Sequence, residues 1–98
     1  MTLRIQRSNG HNRVVLTLMG RIQADQLPEL EALLRSETNH NLILDLKDVK
    51  LVDRDAVRFL ALSEAEGVKL SNCPAFIREW ISQERNEMQR TKAEHQQL

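Results

Sequence analysis

Between Leu42 and Leu62 the chain reads LILDLKDVKLVDRDAVRFLAL, and this stretch restricts the fold more than any other. It opens as an apolar run, breaks at Lys47 and Asp48, resumes with Val49, Leu51 and Val52, and then meets Asp53, Arg54 and Asp55. Leu42 to Leu46 has the length and near-continuous hydrophobicity of a strand covered on both faces, in an interior and partly parallel position. A short loop follows. Asp53 then caps a helix that starts at Arg54, because a carboxylate oxygen can accept from a free first-turn amide and its charge suits the positive helix end. Val52 and Val57 occupy the two positions of a hydrophobic staple, which fixes how the chain enters that helix.

The flanking segments supply the partners such a strand needs. Leu3 and Ile5 alternate with Arg4, Gln6 and Arg7 as in a half-exposed strand. Ser8 to Asn12 carries turn chemistry, with Asn9-Gly10 offering the positive φ of a tight hairpin turn. Arg13 to Met19 is the second strand, its Val14, Leu16 and Leu18 on one face, and Gly20 with Arg21 ends it. Asp25 to Ser36 shifts to helical spacing, with Leu27, Leu30, Leu33 and Leu34 on one stripe and Pro28 in the first turn. A polar connection, Thr38 to Asn41, leads back to Leu42, which makes a right-handed β-α-β unit.

Beyond Asp53, the second helix runs to about Glu66, with Val57, Leu60 and Ala61 as its face, widened by Phe59 and Leu62. Gly67 terminates it. Val68 to Ser71 makes a short fourth strand. Pro74 opens a third helix in which Phe76, Ile77, Trp80 and Ile81 recur at helical spacing and should pack on the sheet. After Ser82 the chain holds only Met88, Ala93 and Leu98 as apolar residues, so residues 83–98 read as a polar tail, helical or disordered, supported by Glu87 with Arg90 and Arg90 with Glu94. The expectation is an α/β fold of order β-β-α-β-α-β-α, one domain over residues 1–82 with that tail behind it.

Composition narrows the function. Fourteen basic residues balance fourteen acidic ones, which removes the whole-chain electrostatic case for binding nucleic acid or an anionic membrane. Aromatic content of 3% makes the core aliphatic. No apolar run approaches the ~20 residues that span a bilayer, and the first residues lack the apolar core of a signal peptide. The single cysteine, Cys73, leaves no intramolecular disulfide and fits a reducing cytosol. A soluble cytoplasmic protein is expected.

Residues that could carry chemistry all have plainer roles. Asp45, Asp48, Asp53 and Asp55 form the one dense acidic group, but capping, the helix dipole and the loop account for them better than a hard cation does. His11, His40 and His95 fall in a turn, a linker and the tail, with no nucleophile spaced beside them. Cys73 lies near a helix start that could lower its pKa, yet no second cysteine or histidine neighbours it. Trp80 with Phe76 reads as an anchor for the last helix. No enzymatic activity, catalytic residue, metal or cofactor is expected.

The apolar strand ending in Asp45-Leu46, followed by Val49-Lys50-Leu51-Val52-Asp53-Arg54-Asp55-Ala56-Val57, resembles the core of the STAS domain, the module of anti-sigma-factor antagonists and sulphate transporters. The resemblance covers Leu3 to Ser82, as a variant shortened around the second helix. It implies a STAS-like four-stranded mixed sheet with about three helices, and a non-catalytic interaction module in a bacterial partner-switching system that regulates transcription. The partner-binding edge it implies is Asp48, Lys50, Asp53, Arg54, Asp55 and Arg58. The partner it implies is an anti-sigma factor or an ATPase of the histidine-kinase-like type. In that family the aspartate is typically followed by two Ser or Thr residues and a small residue, and a hydroxyl there is the phosphorylation switch. Arg54 and Asp55 stand in those places here, with Asp55 at the usual phosphoacceptor, so the phosphorylation switch does not carry over. Two other readings stay open: a STAS subunit of a transport or lipid-trafficking complex, and a free-standing structural or oligomeric module. A homodimer is compatible with each.

Overall fold

A computed structural model describes residues 3–37 and 41–96, with side chains as far as Glu87. The order is β1 (Leu3–Gly10), β2 (Arg13–Ile22), a 3₁₀ turn (Ala24–Gln26), α1 (Leu27–Ser36), β3 (Leu42–Val52), α2 (Arg54–Ala65), β4 (Lys69–Ser71) and α3 (Ala75–Gln96). The strands form one mixed sheet in the order β1-β2-β3-β4, with β1 antiparallel to β2 and both β2–β3 and β3–β4 parallel. This is the expected α/β architecture, with β3 in the sheet interior. His40, residues 38 and 39, and the side chains of Met88, Arg90, Ala93, Glu94, His95 and Leu98 lie outside what is described.

The β1–β2 hairpin closes two residues later than the Asn9-Gly10 reading expects, at His11 and Asn12. Gly10 pairs with Arg13 as part of the ladder, and the positive φ of 57° falls on Asn12. Asparagine tolerates the left-handed region because its short polar side chain can bond locally. The Asn12 carbonyl also accepts from Asn41 Nδ2 at 2.7 Å, which ties the turn to the start of β3.

The largest departure concerns β3, which does not stop at Leu46. It runs through Lys47 and Asp48 to Val52, and β2 extends past Gly20 to pair with it. The pairing goes from Thr17–Asp45 to Met19–Asp48 and from Gly20–Val49 to Arg21–Leu51, so each irregularity places one extra residue on β3. Those extra residues explain the odd spacing of the apolar positions. Leu46, Val49 and Val52 are three apart, which regular alternation would scatter over both faces, yet all are buried on one. Gly20, at φ 99°, accommodates the kink on the facing strand.

All three helices cover the same face of the sheet. Val14, Leu16 and Leu18 of β2, Leu42, Leu44 and Leu46 of β3, and Leu70 of β4 meet Leu30 of α1, Ala56, Val57, Leu60 and Ala61 of α2, and Ile77 and Ile81 of α3 in one core. The opposite face carries Val15, Thr17, Met19, Ile43 and Asp45, which are half-buried and stand apart from that core. The expectation that β3 is covered on both faces is therefore corrected. Its unbroken hydrophobicity reflects Ile43 flanked by Val15 in register on the open side, not a second layer of helices.

Two aromatic or aliphatic assignments also change. Phe76 is 49% and Leu62 55% exposed, so neither packs on the sheet. Ile77 and Ile81 define the buried stripe of α3, and Glu84, one turn further, continues it at 6% exposure. The packed part of α3 thus passes Ser82 and reaches Arg85, whose guanidinium bonds Glu64 on α2.

Candidate functional site

Asp53 is the corner from which the edge is built. Its extended backbone ends β3, and its Oδ1 accepts from the Ala56 amide at 2.9 Å, the cap expected of it. Its Oδ2 accepts from the Ala24 amide at 2.8 Å, while its own amide donates to the Ile22 carbonyl at 3.3 Å. One carboxylate therefore secures the start of α2 and the turn that precedes α1. Val52 and Val57 are both buried beside it, as a staple requires.

Arg54 and Arg58 are not free for a partner in the simple sense. Both donate through Nε to the same oxygen of Glu84, at 3.3 and 2.8 Å. The Glu84 carboxyl is held below its ordinary value, chiefly by the Arg58 hydrogen bond and against the opposing effect of burial. A reciprocal cluster lies at the other end of α2. There Glu64 accepts a bidentate pair from Arg78, at 3.0 and 3.1 Å, and a third bond from Arg85 at 2.8 Å, which likewise holds its carboxyl low. Carboxylates on α2 and on α3 are each gripped by arginines of the other helix.

The remaining members of the expected edge are Asp48, Lys50 and Asp55. Asp48 is half-buried on β3 and pairs across to Met19, while Lys50 and Asp55 are exposed. Leu51, read from sequence as part of the apolar run, is turned outward and 44% exposed between Lys50 and the cap. The structure thus leaves Lys50, Leu51 and Asp55 exposed on either side of the Asp53 cap and assigns Asp53, Arg54 and Arg58 to bonds within the chain. Glu84 was missed as the partner of the two arginines. Its signal was available in the sequence: it continues the Ile77, Ile81 stripe, and Arg54 and Arg58 are one turn apart on α2.

The other titratable groups do not converge on this rim. Among the described residues no three His, Cys, Asp or Glu side chains gather as a metal ion would need. Asp45 accepts from the Lys47 amide at 3.1 Å and from Asn72 Nδ2 at 3.3 Å. Burial pushes the Cys73 thiol up, against a smaller pull from Arg78, so the neutral thiol is favoured. Among the described residues no helix is long and apolar enough to cross a membrane. No family model matches the chain, and no curated protein matches it significantly.

Proposed function

We propose that this chain is a non-catalytic protein–protein interaction module of the STAS-like, partner-switching kind, acting in the cytoplasm on a regulatory protein such as an anti-sigma factor or a histidine-kinase-like ATPase. Its contact rim is the end of β3 and the first turn of α2, and it does not use a phosphorylation switch at the usual site. The observation that carries the reading is Asp55. It is exposed in the first turn of α2, and it has no hydrogen-bond or ion-pair partner among the described residues, whereas Asp53, Arg54 and Arg58 beside it are held internally. A fixed negative charge there stands where the resembled family carries its phosphate. Exposed Leu51 gives the rim an apolar centre among charges, the composition of a docking patch.

The test is an affinity capture from native extract with wild type and with a Lys50→Glu, Leu51→Ser, Asp55→Arg variant. Those positions leave Glu84 and the cap untouched, so the fold is preserved. Recovery of a sigma regulator or ATPase-type kinase by wild type alone supports the proposal. Equal recovery by both proteins removes the rim from consideration, and recovery of transporter subunits favours the transport-complex reading instead.

A further inference from the structure

Helix α2 has a second stripe that the core covers only in part. Val57, Leu60 and Ala61 face inward, while Phe59 is half-buried and Leu62 is 55% exposed on the outer side. Beside them α1 contributes Leu34, and the three apolar side chains floor a groove rimmed by Glu31, Arg35 and Glu66. Glu31 and Arg35 are paired one turn apart at 3.8 Å, so between them they give the rim no net sign. Along α2 the charges that flank Leu62 are opposite in sign: Arg58, four residues before it, and Glu66, four residues after it.

We propose that this face is the interface of a homodimer, in which α2 packs antiparallel against α2 of a second copy with the two-fold axis at Leu62. A two-fold interface is self-complementary: where one residue meets another, the reciprocal contact is made as well. About Leu62 that rule sets Arg58 of each copy against Glu66 of the other, two opposite-charge pairs around a centre of Leu62 and Phe59. Sliding the axis to the point between Leu60 and Ala61 sets Asp55 against Glu66, acid on acid, so the charges select the first register. Arg58 can serve both contacts, because only its Nε is used by Glu84 and its side chain is 41% exposed. Glu66 has no ion pair within its own chain among the described residues. Asp55 lies past the end of the facing helix in this register, so the dimer leaves the proposed rim open.

Sedimentation equilibrium on the full chain, from micromolar to hundreds of micromolar, should give twice the 11.4 kDa chain mass. Leu62→Asp should return the mass to 11.4 kDa and keep a cooperative melting transition, since the side chain is exposed, while losing the concentration dependence that dimerisation gives the wild-type melting point. Glu66→Arg should weaken the dimer about tenfold or more by facing Arg58 with a like charge. With Cys73→Ser as background, Leu62→Cys should form a disulfide-linked dimer under mild oxidation, and Glu79→Cys, exposed on α3, should not. A monomer at every concentration leaves the face to solvent or a foreign partner and overturns the proposal. So does a dimer that survives Leu62→Asp, or one that fails to cross-link through position 62.

Discussion

Each oxygen of the Asp53 carboxylate receives one backbone amide, Ala56 on one side and Ala24 on the other. An Asn side chain keeps one accepting oxygen and turns a donor toward the second amide. Asp53→Asn should therefore lower stability by about 1 kcal/mol and Asp53→Ala by about 2 kcal/mol, read as shifts of the urea midpoint at constant slope. Glu84 adds a pH dependence. Its folded-state value lies below the ordinary 4.5, so the stability it contributes is complete above that value and is lost as pH falls from there to the depressed one. Glu84→Gln should be about 1 kcal/mol less stable than wild type at neutral pH, and the gap should close as pH falls from the ordinary carboxylate value through the depressed one, measured by urea unfolding across the range. Of these two carboxylates the sequence revealed half of the role of Asp53 and none of that of Glu84. The cap of Asp53 follows from its position before a helix, but Ala24 lies 29 residues away and nothing local marks it. Glu84 sits among polar residues, so its burial shows only once helical phase is carried on from Ile77 and Ile81.

Strand β3 is where periodicity and polarity gave conflicting signals. Lys47 and Asp48 interrupt the apolar run and suggest a loop, yet the backbone continues as a strand because β2 lengthens to pair with it. Strict alternation from Val49 would place Leu51 in the core and Val52 outside. The extra residue on β3 reverses that, leaving Val52 at 6% and Leu51 at 44% exposure. Two substitutions separate the cases: Val49→Asp should abolish a cooperative thermal transition by placing a charge in the core, whereas Leu51→Asp should change stability by no more than about 0.5 kcal/mol. The first and second helices were legible because their leucines and valines hold one phase for several turns. Phe76 misled because an aromatic one residue before the true stripe looks the same in a helical pattern as one within it.

The order of strands and helices could be read from the alternation of short apolar runs with amphipathic ones, and the parallel pairing of β2 with β3 followed from the helix between them. The end of the packed body could not, since two ion-pair clusters rather than apolar contacts extend it. A chain ending at Ser82 should unfold at lower urea than one ending at Glu87, by about 2 kcal/mol, because it loses Glu84 from Arg54 and Arg58 and Arg85 from Glu64. On α2 the first cluster uses Arg54 and Arg58 near the start and the second uses Glu64 near the end, so together they also resist sliding of one helix along the other. Asp53 plays the same part between the two βα corners. Because one carboxylate holds a first-turn amide of each, neither corner can fray without costing the other a bond, and hydrogen exchange should find the two opening together although they are distant in sequence.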